Sequence, residues 1–167
     1  MKTRKYLLLI TLIVITFMFT SCTYIGRNNI ELFSKKFNDY STDELTLDEN
    51  NLVINKEQKS YYYFFPASGE NEYLLSLFED SNKEIYEFGI CIMSNSPKDV
   101  KTIEEIFNSA FQALISTKKE TPSPFSEIPL NDKGEIKNPT NKTIEHDLYN
   151  INILVNDAGT GIYVVKK

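Results

Sequence analysis

The sequence predicts an α+β domain: an antiparallel sheet of five or six strands, one long helix packed on one face of it, and a short helix ahead of it. Three observations carry the prediction. β-type runs follow one another between Leu52 and Ile92 with turn residues between them, one strongly amphipathic segment then interrupts, and the chain closes on an alternating hairpin, "DLYNINILVNDAGTGIYVVKK". At 167 residues, 41% hydrophobic and 25% charged, the chain is long enough for one domain with a real core and short for two.

Taken in order, the first segment stands outside that domain. Lys2, Arg4 and Lys5 precede an apolar run from Leu7 to Phe19, well short of the roughly 20 residues a membrane-spanning helix needs. This is the shape of a signal peptide. Thr20 and Ser21 then lead into Cys22, and "ITFMFTSC" resembles the lipobox of bacterial lipoprotein signal peptides, with Phe19 at the position where that family prefers Leu. The resemblance implies a diacylglycerol thioether on Cys22, cleavage before it, and a division into signal peptide 1–21, lipidated tether 22–27 and a single domain 28–167. Two acyl chains, at about 0.8 kcal/mol per buried methylene, suffice for stable anchoring. The expected location is the extracytoplasmic face of the cell membrane.

"NNIELFSKKFNDY" spaces Ile30, Phe33, Phe37 and Tyr40 as one stripe, with Asn28 or Asn29 as the cap, and predicts a short amphipathic helix close to the tether. From "LTLDENNLVINKEQ" the period becomes that of strands. Leu52 and Ile54 alternate, "SYYYFFP" is an aromatic run stopped by Pro66, "NEYLLSLFED" follows the turn residues "ASGEN", and "DSNK" turns the chain into "EIYEFGICIMS". Tyr86, Phe88, Ile90 and Ile92 are expected on one face, with Gly89 marking a bulge or the close approach of a helix. The long helix begins with Ser96 as cap, Pro97 in the first position and Asp99 in the first turn. Val100, Ile103, Phe107, Ala110, Phe111 and Leu114 form its stripe, Ile106 and Ile115 widen it, and Lys118 and Lys119 suit its end.

From about Glu120 to Thr143 the pattern breaks down over four prolines and a glycine, a connection longer than is usual in compact domains. Three readings stay open: a mobile stretch, a functional loop, or a segment holding an unrecognised short strand. In the closing hairpin Tyr149, Ile151, Ile153 and Val155 face one way and Asn150, Asn152 and Asn156 the other, which points to a wet sheet face.

Charge and chemistry narrow the function classes. Without residues 1–21 the chain keeps 15 basic side chains against 23 acidic, a formal charge of −8, the wrong balance for a nucleic-acid binder. The same charge disfavours attraction to anionic lipid, which leaves membrane attachment to the acyl group. Cys91 has no partner once Cys22 carries lipid, and between Ile90 and Ile92 it reads as a buried free thiol. His146, the only histidine, lies between carboxylates in "IEHDLY", but no serine or cysteine is marked as its nucleophile, so no catalytic residue is assigned. One histidine and scattered acids give no metal-ligand spacing. "DAGTG" is a hairpin turn rather than a phosphate loop, and the pairs Asp43–Glu44, Glu70–Glu72 and Glu104–Glu105 are expected in so acidic a chain. No cofactor is implied.

The aromatic strand carries the one modest claim to a binding site. Side chains alternate along a strand, so Tyr61, Tyr63 and Phe65 share one side and Tyr62 and Phe64 the other. The core takes one set; if the other meets solvent, Tyr62 and Phe64 form a surface for docking a protein or stacking on sugars. The body resembles the small lipoproteins of low-GC Gram-positive bacteria, a likeness that carries no activity with it. The expected role is a non-catalytic interaction or accessory module for another envelope protein, with a small-ligand or glycan binder using the aromatic strand as the alternative.

Overall fold

The computed structural model describes residues 29–66, 72–92, 97–115 and 123–167. The lipobox with Cys22, the proposed cap Ser96, Glu70, and Lys118 and Lys119 lie outside them. The described chain forms helix α1 (Ile30–Tyr40), strands β1 (Leu52–Asn55), β2 (Ser60–Pro66), β3 (Glu72–Glu79) and β4 (Ile85–Ile92), helix α2 (Pro97–Ile115), and strands β5 (Thr140–Glu145), β6 (Tyr149–Asn156) and β7 (Gly159–Lys166). Short 3-10 turns occupy Asp43–Leu45 and Pro124–Glu127.

The strands form one seven-stranded sheet in the order β1-β2-β3-β4-β7-β6-β5, antiparallel at every pairing. Five or six strands had been expected. The addition is β5, whose "TNKTIE" has only Ile144 as a large apolar residue; it falls at the end of the proline-rich connection, where periodicity fails. Between β4 and β5 the chain crosses to the far edge through α2, then meanders inward until β7 meets β4. Two edges remain, β1 and β5.

α1 starts where Asn29 accepts a hydrogen bond from the Leu32 amide at 2.9 Å, and it stops where Ser41 donates to the Phe37 carbonyl. Phe33 and Phe37 are fully buried. Tyr40, placed on the same stripe by its spacing, is 57% exposed at the helix end. On α2 the buried set runs from Val100 to Ile115 and takes in Ala113 beside the expected stripe. α1 and α2 also pack against each other.

The core lies on one side of the sheet. Register places Tyr63, Phe65, Tyr73, Leu75, Leu77, Phe88, Ile90, Ile162, Val164, Ile151 and Ile153 on that side, and all are buried. The rings of both helices meet strands on this parity. Phe37 stacks on Phe65 at 6.1 Å, Phe107 meets Phe88 edge to face at 5.7 Å, and Phe111 meets Tyr149 at 4.9 Å. Polar tips follow the same pattern: Ser34 shares a 3.0 Å hydrogen bond with the Tyr63 hydroxyl, and Tyr73 donates to buried Asp99 at 2.7 Å. The 123–136 segment adds Phe125 to this core, edge-on to Phe107 at 5.4 Å.

β4 departs from simple alternation. Its pairing with β3 slips after Phe78, so that Glu79 lies opposite Ile85 and Tyr86 is the extra residue. Ile85 is therefore buried and Tyr86 is 37% exposed, where a regular strand would have kept Tyr86 with Phe88.

Candidate functional site

The other side of the sheet is a face whose geometry can be read from register alone. Three rows of side chains cross it. One runs Phe64, Leu74, Cys91, Gly161, Leu154; a second runs Val53, Tyr62, Ser76, Gly89, Tyr163, Asn152; a third runs Ser60, Phe78, Glu87, Val165, Asn150. Phe64 is 40% exposed, Val53 53% and Leu154 48%. Apolar and aromatic groups thus lie open on a face where strands of a one-sided sheet ordinarily carry polar residues.

Tyr62 and Phe64, the residues singled out on the aromatic strand, both fall here. Tyr62 leans along β2, and its hydroxyl accepts from the Ser60 hydroxyl at 3.1 Å, which covers Ser60 completely. Phe64 has no such tie. Their alternating neighbours Tyr63 and Phe65 are in the core, while Tyr61 is half-buried at its rim and donates to Glu79 at 2.6 Å.

Tyr163 holds the centre of the open face, and its position explains Gly89. A Cβ at Gly89 would lie 2.5 Å from two carbons of the Tyr163 ring, and one at Gly161 would lie 3.0 Å from the ring. The space above Gly89 therefore serves a tyrosine from the neighbouring strand, not a helix. The Tyr163 hydroxyl lies 3.3 Å from Cys91 Sγ. Its pKa is pushed up to about 12, first by that hydrogen bond, then by burial, then by electrostatic repulsion from Cys91 and Glu87. Cys91 itself is half-buried on the open face, not in the core. The apolar neighbours that suggested burial, Ile90 and Ile92, point the opposite way because adjacent strand residues alternate.

The charge pattern of this face is one-sided. Glu72, Glu87 and, at the β5 edge, Glu145 are its acidic strand residues, and no lysine, arginine or histidine occupies a described strand position of this parity. Burial raises the Glu87 pKa. The sequence reasoning missed Val53, Leu74, Phe78, Tyr163 and Leu154. For Tyr163 a signal existed, since in "GTGIYVV" the tyrosine has opposite parity to Ile162 and Val164.

His146 Nε2 lies 3.2 Å from Glu127 Oε1, and its ring stacks on Tyr149 at 4.5 Å. Those contacts join the Pro124–Glu127 turn to β6 through the His146 ring. Asp43 and Glu44 are exposed in the first 3-10 turn, and Glu104 is exposed on α2. Among the described residues no three His, Cys, Asp or Glu side chains converge as a metal site, and no helix is long and apolar enough to cross a membrane. Set against protein-family models, curated proteins and solved structures, the chain finds no match in any of the three comparisons.

Proposed function

We propose that this chain is a membrane-anchored extracytoplasmic lipoprotein, tethered through lipid on Cys22, whose domain is a non-catalytic docking module for another envelope protein. The observation that carries the docking role is the open sheet face, with Phe64 and Val53 exposed beside Tyr62 and Tyr163. In this reading α1 and α2 are the layer that covers the opposite face, and the ring contacts of Phe37, Phe107 and Phe111 support it. A surface that combines exposed aromatic rings with few charges suits the core of a protein–protein interface. α1 begins at Ile30, soon after Cys22, so the domain is held near the bilayer.

Mild chemical cross-linking on intact cells, followed by mass spectrometry, tests the module. The native chain is expected to yield one dominant protein adduct, and Tyr62→Ala with Phe64→Ala is expected to lose it with the fold intact by circular dichroism. An undiminished adduct would refute the role of this face. A glycan is the second reading, favoured by the Tyr62 ring lying along the strand as a stacking platform. Retention on immobilised envelope glycan that the double variant loses would select it. The anchor has its own test: Cys22→Ala should no longer incorporate labelled fatty acid or partition into detergent.

A further inference from the structure

The two edges of the sheet are built differently. β5, "TNKTIE", carries Lys142 and Glu145, both exposed, and follows directly on Pro139, features that discourage further strand pairing. β1, "LVIN", has neither charge nor proline, and it presents Val53, 53% exposed, on the open face and Ile54, 51% exposed, on the other. The ladder fixes which backbone groups lie free. Phe64 donates to the Asn51 carbonyl at 3.1 Å, so Asn51 and Phe64 form a hydrogen-bonded pair. Such pairs alternate, which makes Val53–Tyr62 and Asn55–Ser60 the next ones. Leu52 and Ile54 therefore turn their N–H and C=O groups outward, and among the described residues none of these groups meets a partner.

We propose that β1 pairs antiparallel with β1 of a second copy about a two-fold axis at Val53, joining two sheets into one. Several features favour a second copy as the occupant. An isologous pairing in this register sets Leu52 opposite Ile54 of the second copy, and Ile54 opposite its Leu52, so every outward N–H and C=O of both residues finds a partner. The flanks differ in net charge: Asp48 and Glu49 precede the strand, and Lys56, Glu57 and Lys59, net positive by one, follow it, so a net acidic end approaches the other copy's net basic end. Val53 meets its own counterpart on the axis, which makes the open faces of the two copies continuous.

Site-directed disulfide formation tests the register on the full chain in detergent. On the axis, Val53 and its counterpart form a non-hydrogen-bonded pair with Cα atoms about 4.5 Å apart, inside the range a disulfide bridges. Val53→Cys, oxidised with copper phenanthroline, is expected to convert most of the chain to a covalent dimer. Ile54→Cys is out of register with itself by two residues, beyond the roughly 7 Å limit, and is expected to stay at the background of the native chain with its own cysteines. Ile54→Pro removes an N–H that points away from β2, so it should leave the sheet folded and halve the mass in solution. A Val53→Cys variant that links no more than the native chain, or an Ile54→Cys variant that links equally well, would overturn the proposal.

Discussion

Tyr63 and Phe64 are neighbours on one strand and sit in different solvents. Tyr63 is 2% exposed and bonded to Ser34 of α1, whereas Phe64 is 40% exposed. The same contrast repeats on β4, where Ile90 is buried and Cys91 half-open, and on β7, where Val164 is buried and Tyr163 lies along the surface. Among the described residues, one face of the sheet is thus a packed interior and the other leaves apolar and aromatic side chains partly exposed between polar ones. The difference teaches where stability and where recognition are to be sought: large rings on the covered face hold the fold, and similar rings on the open face are free to meet something else.

That division can be broken by mutation, and the covered face should give the largest effects. Phe107 is fully buried and touches Phe88, Phe111 and Phe125. Phe107→Ala is expected to cost about 3–5 kcal/mol in denaturant unfolding; a loss below about 1 kcal/mol would mean that α2 does not seal this face. Tyr73→Phe removes a donor to buried Asp99 and should cost about 0.5–3 kcal/mol in the same assay. Gly89→Ala should cost a similar or smaller amount, about 1–2 kcal/mol, because the new methyl drives the Tyr163 ring off its site. Its specific signature is separation of Tyr163 from Cys91, read as a faster reaction of the thiol with a maleimide. Phe64→Ala should cost about 1 kcal/mol or less, since much of the ring is already in water. A loss matching that of Phe107→Ala would place Phe64 in a core and end the docking proposal.

Tyrosine titration sharpens the comparison at high pH. Tyr61, Tyr73 and Tyr163 are each raised from 10.0 to about 12. For Tyr61 and Tyr73 burial is the main cause, followed by hydrogen bonds to Glu79 and Asp99; for Tyr163 it is the bond with Cys91. A folded pKa above the unfolded one means that the unfolded chain loses its proton first. The stability these groups contribute is therefore full below pH 10 and falls as pH rises toward 12. Phenolate absorbance should show a late-titrating fraction in the native chain that merges with the rest on denaturation, and Tyr163→Phe should shrink it.

The elements that could be read from the sequence were those whose own residues determine them. α2 follows from its stripe and first turn, and the hairpin around Asp157 from strict alternation on either side. β5 could not be read, because its buried positions are Thr140 and Ile144, and only Ile144 is apolar. The bulge at Tyr86 comes from a slip against β3, which no local pattern of β4 contains. The misplacement of Cys91 is of another kind: alternation alone puts it opposite Ile90 and Ile92. Tyr62 and Phe64 could be paired on one side from sequence, but knowing that side as the open one required the crossover through α2. Tyr163 over Gly89 depends on a pairing between strands more than 70 residues apart in the chain.

The most direct test of the open face as a docking surface is a photo-cross-linking side chain placed at position 64, compared with the same group at position 104 on exposed α2, in intact cells. The account predicts one dominant protein adduct from position 64 and none in common with position 104. No adduct from position 64, or the same set of adducts from both positions, would contradict it.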